Sequence, residues 1–223
     1  MNIIKPKIKF TNDYIFENYI YKNASFTKNP KNKVIIEDID FDSCIFKNID
    51  FSLIELINVN FLDCNFESCD LSNKNFDEKL IERCEFNSCK LLGSSFINAS
   101  LKDILIDNSI LKYVNFSGTS MNKIKITNSN MSESYFTETK FKNIELNNNN
   151  FNKAEFLQTK LYNIDFSNNG DIGQIQKVKS QINEINFEIN SKKGNEISQN
   201  NQINKEKRDI FKAISANNFN NRK

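Results

Sequence analysis

The sequence predicts an all-β solenoid, a chain wound into coils of twenty residues with four sides each. Every fifth residue from Phe41 to Phe166 is large and apolar, which gives 26 consecutive positions without a slip of frame. A second column of mostly small or β-branched residues lies two positions earlier, and the other three positions of each five are mostly polar. A period of five fits neither the 3.6-residue period of a helix nor the two-residue period of a strand, so the chain must turn every few residues.

The second column predicts the length of one coil. It contains all five cysteines, at Cys44, Cys64, Cys69, Cys84 and Cys89. Within this set the spacing of twenty recurs three times, which predicts four five-residue sides per coil and coils stacked by backbone hydrogen bonds. Two members of the column, Lys74 and Lys79, are neither small nor apolar.

A coil of twenty residues places equivalent residues directly above one another. One side is then expected to stack a column of large apolar residues, namely Leu56, Phe76, Phe96, Phe116, Phe136 and Phe156. A turn position collects residues suited to tight backbone bends, namely Asn48, Ser68, Ser88, Asn108, Asn128 and Asn148. We therefore interpret the richness in Asn as structural.

These five-residue units resemble those of the pentapeptide-repeat family. The resemblance is carried by units such as CNFES (64–68), CEFNS (84–88), VNFSG (114–118) and AEFLQ (154–158). It implies a right-handed quadrilateral β-helix with the large residue inside. The stretch 151–173 also resembles the C-terminal coils of the quinolone-resistance subfamily, whose members are dimeric rods with acidic, DNA-like surfaces that bind type II topoisomerases and protect them from drug.

The sequence divides into three parts. Residues 1–35 carry weaker echoes of the repeat and are expected to form an N-terminal cap, and residues 36–167 form the β-helix. Residues 168–223 are a polar, helical or disordered tail with a helix expected at 174–190. The apolar stripe of that helix consists of Ile175, Val178, Ile182, Ile185 and Ile189. Two interpretations of the stripe stay open: a helix that caps the last coil, or one that forms a homodimer.

The composition argues against enzymatic chemistry. The chain has no His, which removes the common catalytic triads, the commonest zinc ligand and the usual proton shuttle near neutral pH. The five thiols belong to the inward column, so we expect free cysteines that pack the core and no metal site, cofactor or catalytic residue. No apolar run approaches the length of a membrane span, and no secretory signal is evident, which favours a soluble cytoplasmic protein.

The charge pattern suggests where a partner binds. Residues 41–166 contain 13 basic and 17 acidic residues, whereas the tail is basic. We predict an acidic, outward-facing end of the rod formed by Asp42, Asp50, Asp63, Glu67 and Asp70. This end either keeps a repetitive protein soluble or binds a partner. The resemblance implies a protein partner, DNA gyrase or topoisomerase IV, with no direct binding of nucleic acid or membrane; the alternative is a scaffold or regulatory module for another protein.

Overall fold

The computed structural model describes residues 15–17, 20–161 and 164–170, and for 15–17 only the backbone. All of them belong to the first of the two units into which the chain divides, Met1–Gln176. The expected helix at 174–190, with Ile175, Val178, Ile182, Ile185 and Ile189, lies outside the described residues. The same holds for most of the expected cap before residue 20.

The described residues form the four-sided β-helix that the period of five predicts. We name the sides A, B, C and D after the large residues of the coil 41–60, which are Phe41, Phe46, Phe51 and Leu56. Strand partners on neighbouring coils are parallel and twenty residues apart, as in Phe41 with Phe61 on side A. The register holds to the pairing of Met121 with Phe141. Each residue of a paired side therefore lies directly above its equivalent in the coil before.

Fourteen strands and one 3₁₀ helix make up these coils. The strands are β1 (Ile15–Glu17), β2 (Ile20–Lys22), β3 (Ser25–Phe26), β4 (Val34–Glu37), β5 (Asp40–Asp42), β6 (Ile45–Lys47), β7 (Ile54–Ile57), β8 (Phe61–Leu62), β9 (Asn65–Glu67), β10 (Leu80–Glu82), β11 (Glu85–Asn87), β12 (Ser100–Asp107), β13 (Ser120–Thr127) and β14 (Lys140–Asn147). The 3₁₀ helix is Phe51–Leu53.

Sides A and B form one twelve-stranded sheet, in which β12, β13 and β14 each continue around the corner between the two sides. Sides C and D are too short for named strands over most of their length and are joined by single bridges, such as Asp70 with Lys90 and Asn75 with Ser95. A separate two-stranded sheet, β4 with β7, forms side D at the N-terminal end. At the same end of the chain, β1 pairs antiparallel with β2 in the sheet of sides A and B.

The interior is filled by the large column and the small column. All 26 large residues are buried except Leu56, Phe141 and Leu146, which are half-buried. The predicted stack on side D is present from Phe76 onwards, with ring centroids 4.8, 5.2, 5.2 and 4.6 Å apart up to Phe156. Burial of such rings contributes about 1.5–3 kcal/mol each. Because each ring stacks on its equivalent one coil away, the core consists of contacts between neighbouring coils.

The small column is held by hydrogen bonds as well as packing. All five cysteines are free and buried, as the column predicts. Thiols and hydroxyls of this column donate to the carbonyl of a large residue in the coil before, as Ser94 Oγ does to the Leu71 oxygen at 2.7 Å and Thr139 Oγ1 to the Phe116 oxygen at 2.8 Å. Buried polar atoms in the column are thereby paired.

The corners are made by a left-handed backbone position that recurs every five residues. From Asn58 to Gln158 every fifth residue has a positive φ, and two of these residues are Gly93 and Gly118. The Asn and Ser residues predicted for one turn all adopt this conformation, and Asn148 donates to Asn128 Oδ1 across coils at 2.7 Å. Asn tolerates the left-handed region better than most residues, which explains its abundance here.

Candidate protein-binding surface

The five acidic residues predicted to form one end of the rod lie around three sides of it. Asp42 is on side A, Glu67 on side B, and Asp50 and Asp70 are on side C, where they are bridge partners on neighbouring coils. Asp50 and Asp70 therefore stack on neighbouring coils. The set as a whole surrounds the coils 41–60 and 61–80.

Asp63 does not point outwards, so the predicted orientation of this residue is wrong. Its side chain occupies the corner between sides A and B and is only 7% exposed. Arg83, one coil further on, donates to both carboxylate oxygens, with Nε to Oδ1 and Nη2 to Oδ2 at 2.8 Å. These hydrogen bonds raise the pKa of Arg83 above its ordinary value. Asp63 is a structural residue that a partner cannot reach.

The other acidic residues on this surface are mostly paired with lysines one coil away. Lys22 lies 3.7 Å from Asp42, Lys47 lies 2.8 Å from Glu67, and Lys90 lies 3.2 Å from Asp70. Burial acts to raise the pKa of Asp70, but the hydrogen bonds from Ser72 and Lys90 outweigh it, and the pKa lies below its ordinary value. The negative charge is thus locally compensated.

Asp50 is the exception. Its side chain is exposed and accepts a hydrogen bond from the Ser52 backbone N–H at 2.8 Å, where it caps the 3₁₀ helix. Within the described part of the chain it forms no ion pair. Asp50 is therefore the uncompensated carboxylate of the predicted set.

The same pairing across coils continues along the rod. Ion pairs join Glu82 to Lys102, Asp103 to Lys123, and Lys125 to Glu145, each twenty residues apart. The pKa of Glu145 lies below its ordinary value because Lys125 donates a hydrogen bond to it. A count of charges along the chain does not reveal these pairs, because their signal in the sequence is opposite charge at a separation of twenty.

Two further properties of the described residues bear on function. No group of three or more acidic or cysteine side chains there is placed to hold a metal ion. Nor does this part of the chain contain a helix with the length and apolar character needed to cross a bilayer.

The similarity of this chain to known protein families lies in the repeat region. A family model described as a pentapeptide repeat region matches residues 59–136, and one described as pentapeptide repeats in eight copies matches residues 36–73 and 129–168. The two models together extend over residues 36–168, more than half of the chain. The chain belongs to the pentapeptide-repeat family. The matched span coincides with the coils in which the large column is continuous.

Solved structures of other pentapeptide-repeat proteins are similar to this chain at low identity. A protein of the Arabidopsis thaliana thylakoid lumen is 20% identical, with 46% of this chain and 64% of that one covered, at a TM-score of 0.32. The plasmid-mediated fluoroquinolone resistance protein QnrB1 is 19% identical, with 72% and 93% covered, at a TM-score of 0.33. Rfr23 of the cyanobacterium Cyanothece 51142 is 17% identical, with 48% and 63% covered, at a TM-score of 0.30. A search of curated proteins found no match.

Proposed function

We propose that this pentapeptide-repeat chain is a non-enzymatic protein-binding solenoid. The observation that carries the proposal is the register of twenty, because it commits the inward columns to packing and leaves most outward side chains free for recognition. A surface on a continuous backbone ladder is already ordered, so binding loses little conformational entropy.

The partner proposed here is a type II topoisomerase, DNA gyrase or topoisomerase IV, with protection from quinolones as a consequence of binding. The sequence resemblance of residues 151–173 to the quinolone-resistance subfamily supports this choice. The proposed contact surface is Asp50 stacked on Asp70, together with Asp42 and Glu67, and it acts by resembling the charge of DNA. Asp63 is left out because its carboxylate is buried against Arg83.

A supercoiling assay with gyrase, with and without a quinolone, tests this proposal. Asp50→Asn with Asp70→Asn removes two negative charges from side C and is expected to weaken binding, most clearly at low salt. The matched control is Asn130→Lys with Asn150→Lys, which makes the same change in net charge on bridge partners of the same side. We expect the control to act on gyrase like the parent.

Two results would overturn the topoisomerase proposal. One is a parent protein that neither binds gyrase nor alters its inhibition by the quinolone. The other is equal binding by the parent and the Asp50→Asn, Asp70→Asn variant, since the contact would then lie elsewhere.

A scaffold or regulatory module for another protein is the second candidate. The ion pairs of Asp42, Glu67 and Asp70 with lysines favour it, because a surface that imitates DNA needs rows of uncompensated charge. A parent protein that binds no topoisomerase while its melting transition remains cooperative would favour this candidate.

The proposal also includes a cytoplasmic location and a homodimer formed through the stripe Ile175 to Ile189. Five unpaired thiols are in keeping with a reducing compartment. Sedimentation of the full chain tests the dimer: Ile182→Lys with Ile185→Lys should convert a dimer to a monomer. A parent that sediments as a monomer at high concentration would contradict it.

A further inference from the structure

The backbone ladder of side D is interrupted at one place. In the N-terminal coils β4 pairs with β7, and from Asn75 onwards side D is bridged again, through Ser95, Asn115 and Tyr135. Between β7 and residues 74–77 of the next coil, all of them described, there is neither a bridge nor a backbone hydrogen bond. Sides A, B and C are continuous at the same level.

The interruption opens a cleft of about 680 Å³. It is lined by β7 on one side and by residues 73–75 and 77–79 on the other, together with Lys33. An extended residue occupies about 160 Å³, from a rise of about 3.3 Å, a strand spacing of about 4.8 Å and a sheet spacing of about 10 Å. The cleft is therefore large enough to hold a few residues of one additional strand.

Two strand edges face each other across this cleft. The far edge of β7 is paired with β4, and the far edge of residues 74–77 is paired with the next coil, where Phe76 N–H donates to the Ser95 oxygen at 2.7 Å. The near edges have no strand partner among the described residues. Unpaired edges of this kind accept an extended peptide as an added strand.

Lysines stand where the small column requires a small side chain. Lys74 Nζ donates to the Ile54 oxygen at 2.8 Å, and Lys79 Nζ donates to Asn58 Oδ1 at 3.2 Å. Each side chain thus crosses the cleft and takes the place of a missing contact between coils. Neither ammonium group lies within 4.0 Å of a carboxylate in the described part of the chain, so both positive charges lack a counter-charge at close range.

Three acidic residues line the cleft, Glu55, Asp77 and Glu78, and the first two are engaged elsewhere. Glu55 pairs with Lys33 at 2.6 Å, and the hydrogen bond from Lys33 holds its pKa below the ordinary value. Asp77 accepts hydrogen bonds from Ser95 Oγ and the Ile97 N–H. Glu78 lies on the same wall as Lys74 and Lys79, but it is exposed and, among the described residues, forms no ion pair with either of them. The two ammonium groups are therefore the part of the cleft that can pair with an anion.

We propose that this cleft binds one extended, acidic peptide segment of a partner protein, which adds a strand between β7 and residues 74–77. Its main chain pairs with the two edges that lack a strand partner, and it displaces Lys74 from the Ile54 oxygen and Lys79 from Asn58. A Glu or Asp side chain of the peptide then pairs with the two released ammonium groups. The site is on side D, apart from the acidic surface on sides A to C, so it does not depend on the topoisomerase proposal.

Fluorescein-labelled hexapeptides built from Val, Thr and Ile, each with one central Glu, provide the probe. The same peptides with Gln in place of Glu test the charge, and versions with alternate N-methylated amides test the ladder. We expect the Glu peptides to bind about tenfold more tightly than the Gln peptides, as for a charge-assisted hydrogen bond, and the N-methylated versions not to bind.

The variant Lys74→Ser with Lys79→Ala restores the small column, since the equivalent residues one coil later are Ser94 and Ala99. It should fold and lose the preference for Glu. Lys140→Ser with Lys142→Ala removes the same charge from exposed positions on side A and should bind like the parent. Hydrogen exchange should show new protection of residues 54–58 and 73–78 when the peptide is bound.

The proposal is overturned if no Glu peptide binds the parent more tightly than it binds the Lys74→Ser, Lys79→Ala variant. It is also overturned if the protected amides lie outside the two walls of the cleft. Neither outcome bears on the gyrase assay, which depends on Asp50 and Asp70.

Discussion

At the residue scale, the position of a polar side chain in the five-residue unit decides whether it is available to a partner. The corner position holds Asp63 and Arg83 on successive coils, both with positive φ, and joins them as a largely buried pair. The nearby Asp50, at a side position, is exposed. Two aspartates thirteen residues apart therefore have different roles.

The buried pair predicts a large loss of stability for a small change at Asp63. Asp63→Asn removes one of the two carboxylates that pair with Arg83, the other being Glu82. It leaves a largely buried guanidinium donor without its acceptor, which costs about 1–3 kcal/mol. Asp50→Asn, which keeps an acceptor for the Ser52 N–H, should change the free energy of unfolding by less than about 0.5 kcal/mol. Urea unfolding of both variants measures the difference, and equal effects would mean that Asp63 is not buried against Arg83.

The cysteines give a second prediction at this scale. Burial raises the pKa of the Cys64 thiol, and the hydrogen bond with Cys69 and burial raise that of Cys89. Since the thiolate is the reactive form, both should label slowly in the native protein at pH 8. Labelling followed by mass spectrometry measures this, with the urea-unfolded chain as the control in which all five thiols react. Rapid native labelling of Cys64 would contradict its inward placement.

At the scale of the element, the stack of rings on side D holds successive coils together. Phe116 is buried between Phe96 and Phe136, at 5.2 Å from each ring centroid. Phe116→Ala should lower the free energy of unfolding by about 3–5 kcal/mol, as for other large buried aromatic residues. Thermal and urea unfolding followed by circular dichroism measure this loss.

Tyr135 provides the control for this substitution. It lies on the same side of the solenoid and is a bridge partner of Asn115, but its side chain is exposed. Tyr135→Ala should cost about 1 kcal/mol or less. If the two substitutions had the same effect, the inward and outward columns of side D would be assigned incorrectly.

The elements also show what the sequence could and could not predict. The stack from Phe76 to Phe156 and the turn residues followed from the spacing alone, because a repeat places identical residues in identical surroundings. Lys74 and Lys79 were evident as exceptions to the small column. The spacing could not show that side D opens there, since the period of five is the same whether or not β7 pairs with residues 74–77. The burial of Asp63 was equally hidden, because some acidic corner residues, such as Asp103, are buried and others, such as Glu78 and Glu138, are exposed.

At the scale of the whole molecule, nearly every described interaction joins residues one coil apart. The backbone ladders, the ring stacks and most of the ion pairs share the separation of twenty. Stability in such a fold is close to a sum over neighbouring coils. Charge is balanced in the same way, which is why a mildly acidic sequence does not produce a strongly acidic face.

The register of twenty is the central claim, and a disulfide tests it most directly. Lys125 and Glu145 are partners on neighbouring coils, and a strand spacing of about 4.8 Å lies within the range that a disulfide spans. Lys125→Cys with Glu145→Cys should form an intramolecular disulfide under mild oxidation. Lys125→Cys with Tyr135→Cys, which joins opposite sides B and D, should remain reduced. A cross-link in the second variant, or none in the first, would contradict the four-sided coil of twenty residues.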